Sequence, residues 1–197
     1  MRRRIPLLVA LAVLLAACGR SPGGPSFRAT DVTGAEFGRD LQLTDFNGQR
    51  RQLSDFRGKS VVVFFGYTHC PDVCPTTLSS LAAAIKKLGP DGDKVQVLFV
   101  TADPERDTAE VLKQYVTAFN PTFLGLRGSV DETARVAKEF KVIVQKNTGA
   151  DPNNYTVDHS SGTYIYDPAG KLRLYVGYGQ DADVFAHDIA LLLKSAG

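Results

Sequence analysis

A chain of 197 residues that is 44% hydrophobic and 22% charged has room for one domain with a substantial core, which excludes large-scale disorder. A formal charge of +2 with no Lys/Arg-rich run beyond residue 4 gives no footing for nucleic-acid binding. Three cysteines and a single methionine, Met1, narrow the metal chemistry open to the chain.

The first element is a targeting segment. Arg2 to Arg4 are basic, Ile5 to Ala17 is uncharged and mostly apolar, and Leu15-Ala16-Ala17 precedes Cys18. Thirteen such residues fall short of the roughly 20 that a spanning helix needs. The layout resembles a bacterial lipobox, so residues 1–17 are expected to be cleaved and Cys18 to become a diacylated N-terminus. The protein would then be exported and held by its lipid on the periplasmic side of the membrane. Cleavage removes three arginines and no acid, leaving the mature chain close to neutral. Gly19 to Ser26 is a Gly/Pro/Ser stretch, and we expect a flexible tether over residues 18–35 and a folded domain over 36–197.

Asp45-Phe46-Asn47-Gly48 between Leu41–Thr44 and Arg51–Leu53 predicts a hairpin. Val61 to Tyr67 reads as a buried strand, followed by Cys70-Pro71-Asp72-Val73-Cys74-Pro75 and a helix from Pro75 to about Leu88. Val95 to Val100 is a second central strand, and Asp103-Pro104-Glu105-Arg106-Asp107-Thr108 turns the chain into a helix ending near Phe119. A short strand at Phe123–Leu126 and a helix at Val130–Phe140 follow, then a brief strand at Val142–Gln145 and a polar loop over Lys146–Asn154. Strands at Tyr155–Asp158, Gly162–Tyr166 and Leu172–Val176 precede a final amphipathic helix at Ala182–Lys194. Strands alternating with helices and closed by a hairpin predict an α/β domain with a mixed central sheet, in the element order of a thioredoxin-like fold with an N-terminal β-hairpin.

Lipidation accounts for Cys18, which leaves Cys70 and Cys74 as a pair. Pro75 belongs in a first helical turn, so Cys74 is expected near the N-cap, on an exposed rim where the helix dipole favours thiolate. Four helical residues rise about 6 Å, so a disulfide and a shared metal are both sterically open. Two thiolates favour Cu(I) or zinc, and a structural zinc site usually asks for four ligands. Three histidines are available. His69 adjoins Cys70 but its neighbour's geometry turns it elsewhere; His187 lies off the apolar stripe of the last helix and reads as a surface residue. His159, in Val157-Asp158-His159-Ser160, is the better ligand candidate, although a lone histidine in a turn is more often a polar surface group.

Gly66-Tyr67-Thr68-His69-Cys70-Pro71-Asp72-Val73-Cys74-Pro75, then Asp103-Pro104-Glu105-Arg106-Asp107-Thr108, then Val157-Asp158-His159 together resemble the Sco/SenC family from about Gln42 to the C-terminus. These are periplasmic or mitochondrial copper-binding proteins of thioredoxin-like fold. The resemblance implies copper, as Cu(I) with Cu(II) as a second state, bound by Cys70, Cys74 and His159. It implies delivery to the binuclear centre of cytochrome c oxidase subunit II, or exchange with another periplasmic copper carrier, by a monomeric chaperone rather than an enzyme. The alternative it leaves is a thiol–disulfide oxidoreductase in which Cys70 and Cys74 keep the acceptor's cysteines reduced. Asp158 or Asp72 is a candidate to orient the imidazole or tune the site, and Asp103 reads as a turn and cap. Peroxidase chemistry lacks the threonine or arginine set it would need.

Overall fold

A computed structural model describes residues 26–148 and 155–195. The signal segment 1–17, Cys18 and the first part of the expected tether, up to residue 25, therefore lie outside the described residues. No helix among the described residues is long and apolar enough to cross a membrane.

The two most apolar runs form the centre. β4 (Ser60–Gly66) and β5 (Val95–Thr101) are buried at every residue and pair in parallel from Ser60↔Val95 to Gly66↔Thr101. Continuous Val/Phe runs of this kind suit strands covered on both faces. β1 (Thr30–Asp31), β2 (Gln42–Asp45), β3 (Arg50–Gln52), β6 (Leu124–Arg127), β9 (Thr163–Tyr166) and β10 (Leu172–Val176) complete an eight-stranded mixed sheet in the order β1-β10-β9-β4-β5-β6-β2-β3. β6 runs parallel to β5, and β9 runs antiparallel to β4.

Side chains alternate across β4 with the two-residue period of a strand. Val62 and Phe64 pack with Leu78 and Leu81 of α1 (Val73–Leu88), Leu112 of α2 (Ala109–Phe119) and Ile189 of α4 (Ala182–Lys194). Val61, Val63 and Phe65 face the other way, onto Val136 and Ala137 of α3 (Val130–Glu139) and onto Phe140. The sheet is thus sandwiched between helices, and the expected hairpin, β2–β3, extends its far edge through β6.

Three boundaries differ from expectation. α1 begins at Val73, two residues before Pro75, because a proline without an N–H is tolerated anywhere in the first turn. The polar stretch after Gln145 continues as β7 (Val144–Thr148), which pairs with β8 (Tyr155–His159) in a separate two-stranded sheet. The structured chain also starts before residue 36. Thr30 and Asp31 pair with Tyr175 and Leu174, and the Arg28 and Ala29 amides donate to the buried Asp188 carboxylate at 2.8–3.1 Å.

Candidate metal centre

β4 delivers the chain to a turn in which the Cys70 amide donates to the Tyr67 carbonyl at 3.2 Å. A buried carboxylate anchors that turn from below. Asp107 accepts the Thr68 amide at 3.2 Å, the Thr68 hydroxyl at 2.6 Å and the Thr101 hydroxyl at 2.5 Å. Burial pushes its carboxyl above the ordinary range, against the pull of these donors.

Asp72 then stands at the N-cap of α1 and Cys74 is the second helical residue. Cys74 is fully buried and Cys70 half-buried. The space for the Cys74 sulfur comes from Gly66: a Cβ there would lie 2.7 Å from Cys74 Sγ and 2.7 Å from the Phe99 ring. This corrects the expectation of an exposed, dipole-stabilised thiolate. Burial in the apolar cluster pushes the Cys74 thiol well above its ordinary range, outweighing the hydrogen bond it receives from the Tyr67 backbone. In the metal-free protein Cys74 is therefore a thiol.

His159 is the last residue of β8, opposite Val144 in the ladder. Its ring meets Phe64 and Tyr67 edge-on, with centroids 6.3 and 6.0 Å away. Nδ1 lies 3.1 Å from the Ser160 carbonyl oxygen, which can only accept, so Nδ1 carries the proton and donates it there. Nε2, the unprotonated nitrogen, lies 3.5 Å from Cys74 Sγ and accepts from its thiol, so the lone pair that would ligate a metal points at the cysteine pair. Burial lowers the imidazole pKa, which keeps the ring neutral and able to ligate.

The Cys70 and Cys74 sulfurs and a His159 ring nitrogen all lie within 4.8 Å of one another. Metal–ligand bonds of about 2.0–2.3 Å place trigonal ligands roughly 3.5–4.0 Å apart, so the three donors fit a single ion after small side-chain adjustments. Two sulfurs and one nitrogen suit a soft ion of low coordination number. The other histidines stand outside this cluster: His69 is exposed with Nδ1 3.2 Å from the Thr68 hydroxyl, and His187 meets Asp188 at 2.7 Å.

Neither proposed acid orients the imidazole, although against the larger effect of burial the Asp158 charge tunes it, pulling its pKa up. The Asp158 carboxylate accepts from Asn147 Nδ2 at 2.6 Å and that of Asp72 from the Thr76 hydroxyl at 3.3 Å; the Ser160 carbonyl holds the ring instead. Asp103 does more than cap a turn. It is buried, pairs with Arg106 Nε, and accepts the Tyr155 hydroxyl at 2.8 Å. Arg106 donates from Nη1 to the Tyr155 carbonyl at 3.0 Å and stacks its guanidinium 3.5 Å over the Tyr155 ring. This clasp fastens β8, and with it His159, to the loop after β5. Its sequence signal is the acid and base three residues apart at Asp103 and Arg106, which turn chemistry alone does not require.

The family model described as SCO1/SenC matches residues 29–194. The mouse mitochondrial protein SCO2 homolog is 38% identical over 152 residues, covering 76% of this chain but 60% of the relative, so the match spans well under two thirds of that protein. Among solved structures, Bradyrhizobium japonicum ScoI with copper bound is 37% identical with a TM-score of 0.71, covering 79% of this chain and 98% of that one. The solution structure of apo Sco1 from Thermus thermophilus is 39% identical with a TM-score of 0.72, covering 87% and 98%.

Proposed function

The chain belongs to the SCO1/SenC family, and on that premise we propose that it is a copper carrier, holding Cu(I) through Cys70, Cys74 and His159 for assembly of the binuclear copper centre in cytochrome c oxidase subunit II. The observation that carries this reading is the triad itself: three donor atoms within 4.8 Å, one of them a ring nitrogen whose partner nitrogen is already tied to Ser160. A relative of similar sequence whose structure holds copper supports the choice of ion. Lipidation of Cys18 would place the carrier at the outer face of a membrane, and subunit II or another periplasmic copper carrier would be its exchange partner.

Uptake displaces the Cys74 proton and requires both thiols reduced. Three ligands leave the ion open to an incoming thiolate of the acceptor, so transfer proceeds by ligand exchange. The departing cysteines recover protons, the acceptor's thiols lose theirs, and no electron moves.

His159→Ala tests the assignment directly. Cu(I) affinity, measured by competition with a chelator, should fall about a hundredfold or more, in line with losses seen when even outer partners of a metal ligand are removed. An unchanged affinity would take His159 out of the site.

One observation favours a second activity. Cys70 is half-buried and reachable while Cys74 is buried beside it, the arrangement of an attacking and a resolving thiol. Cys70 would attack an acceptor disulfide, Cys74 would then displace the acceptor from Cys70, and two electrons would pass to the acceptor, leaving a Cys70–Cys74 disulfide for an external dithiol to reduce. This activity should survive His159→Ala, whereas copper delivery should not.

A further inference from the structure

Three of the four large apolar side chains exposed among the described residues, Val130 (59%), Ile143 (72%) and Val144 (37%), cluster on one face. Val130 and Val144 line a groove of about 250 Å³ between α3, β7 and the loop after β5, walled by Thr133, Ala137 and Val157 and edged by Glu105 and Lys146, which neutralise each other in an ion pair at 2.8 Å. A second hollow of about 350 Å³ continues it through Ala134, Ala137 and Val144 to Ile143, Lys138 and Lys141. The Thr133 hydroxyl, buried at this wall, has no hydrogen-bond partner among the described residues.

β7 also has an open side. The Ile143 carbonyl accepts the Ser160 amide at 3.0 Å, so by antiparallel alternation the amides and carbonyls of Val144, Lys146 and Thr148 point away from β8. No other strand among the described residues pairs there. An exposed edge of this kind is a template for another chain's strand. The rim is basic: Lys138 and Lys141 make no ion pair among the described residues, and Lys141 lies 4.6 Å over the Phe37 ring. Val144, in the middle of the groove, lies directly across the ladder from His159.

We propose that this face docks the protein that exchanges copper with the site, through an extended segment with apolar side chains and acidic flanks that adds to β7 as a third strand. Its apolar residues fill the groove against α3 and its acids meet Lys138 and Lys141. Because β7 is paired with the strand that ends in His159, docking there brings the acceptor's ligands to the metal without any movement of the core. The inference rests on the copper-carrier reading above.

The test compares two acceptors for the Cu(I)-loaded protein: the purified copper-accepting domain of subunit II, and a small soluble Cu(I) chelator that needs no docking. Val130→Glu and Ile143→Glu change exposed positions, and thermal melts establish that they fold. Transfer to the protein acceptor should slow by about tenfold or more in both and several-fold in Lys138→Glu, with the chelator rate unchanged. Equal transfer by wild type and variants to the protein acceptor would overturn the docking face while leaving the carrier reading intact. A wild type that yields copper to the chelator but none to the domain would overturn the acceptor, and the docking inference with it. A wild-type dimer dissolved by Ile143→Glu would assign the face to a second copy and overturn the proposal.

Discussion

At the scale of single residues, the site depends on one missing side chain and two shifted protons. Gly66 is small because the Cys74 sulfur and the Phe99 ring occupy the place of its side chain, each 2.7 Å from where a Cβ would lie. Gly66→Ala should cost about 1–3 kcal/mol of stability in the metal-free protein, the usual range for overpacking a core. It should weaken Cu(I) binding as well, since the sulfur is one of the two groups that must give way; denaturant melts and chelator competition read the two effects separately. The protons set a pH dependence. Copper must displace the proton from Cys74, whose thiol burial has pushed well above the ordinary range, so Cu(I) affinity should rise about tenfold per pH unit from this group throughout the neutral region. His159, held below its ordinary value, is neutral there and adds proton competition only at more acidic pH, where the slope should steepen. Competition titrations from about pH 5 to about pH 8 measure this. A flat profile would mean that Cys74 is already ionised.

At the scale of elements, the β7–β8 hairpin is what turns a pair of cysteines into a three-donor site, and its hold on the body rests on few contacts. Tyr155 and Val157 pack with Tyr67 and Ala102, while the Asp103–Arg106–Tyr155 clasp supplies the polar fastening. Tyr155→Phe keeps the ring and its stacking but removes the hydroxyl's bond to Asp103. The loss of one such bond to a charged group, about 1.5–3 kcal/mol, should speed amide exchange across β7 and β8 about tenfold to a hundredfold, with exchange in β4 and β5 unchanged. Cu(I) affinity, set by the docked hairpin, should stay within about twofold. The contrast between hairpin and core explains what could be read beforehand. β4, β5 and the four helices follow apolar runs and periods that burial imposes. β7 reads Val-Gln-Lys-Asn-Thr and is exposed almost throughout; it is held by its pairing with β8 and by Lys146, whose ammonium lies 3.9 Å over the Tyr155 ring, so no apolar period announces it. The cysteine pair was legible because it directly follows a buried strand. His159 lies 85 residues beyond Cys74; elimination made it the best of the three histidines, but only the third motif of the family resemblance outweighed its reading as a polar turn residue. The burial of Cys74 was not legible, because the room for its sulfur depends on Gly66 and on a ring from the neighbouring strand.

At the scale of the whole molecule, the N-terminal segment is part of the fold and not only a leash. β1 adds an edge to the sheet beyond β10, and the Asp188 carboxylate, buried on α4, accepts the amides of Arg28 and Ala29 as well as facing His187 Nδ1 at 2.7 Å. Phe27 and Ala29 pack on the core cluster that contains Cys74, on the face covered by α1 and α4. A soluble form starting at residue 36 would remove the two amide donors, strip the edge of β10 and leave Asp188 with His187 as its remaining side-chain partner. Each hydrogen bond to a charged group contributes about 1.5–3 kcal/mol, and the apolar contacts of Phe27 add to that. We therefore expect this truncation to melt well below a form starting at residue 26. Asp188→Ala in the longer form separates the causes: it removes the charge and its hydrogen bonds but keeps the strand. A loss of about 2 kcal/mol there corresponds to a fall of roughly 4–8 °C in Tm for a domain of this size. Both forms should retain Cu(I) affinity if they are folded, because Cys70, Cys74 and His159 are positioned by β4, α1 and the β7–β8 hairpin, none of which includes residues 26–35. Equal melting of the two soluble forms would show that the segment before residue 36 contributes nothing to the folded domain.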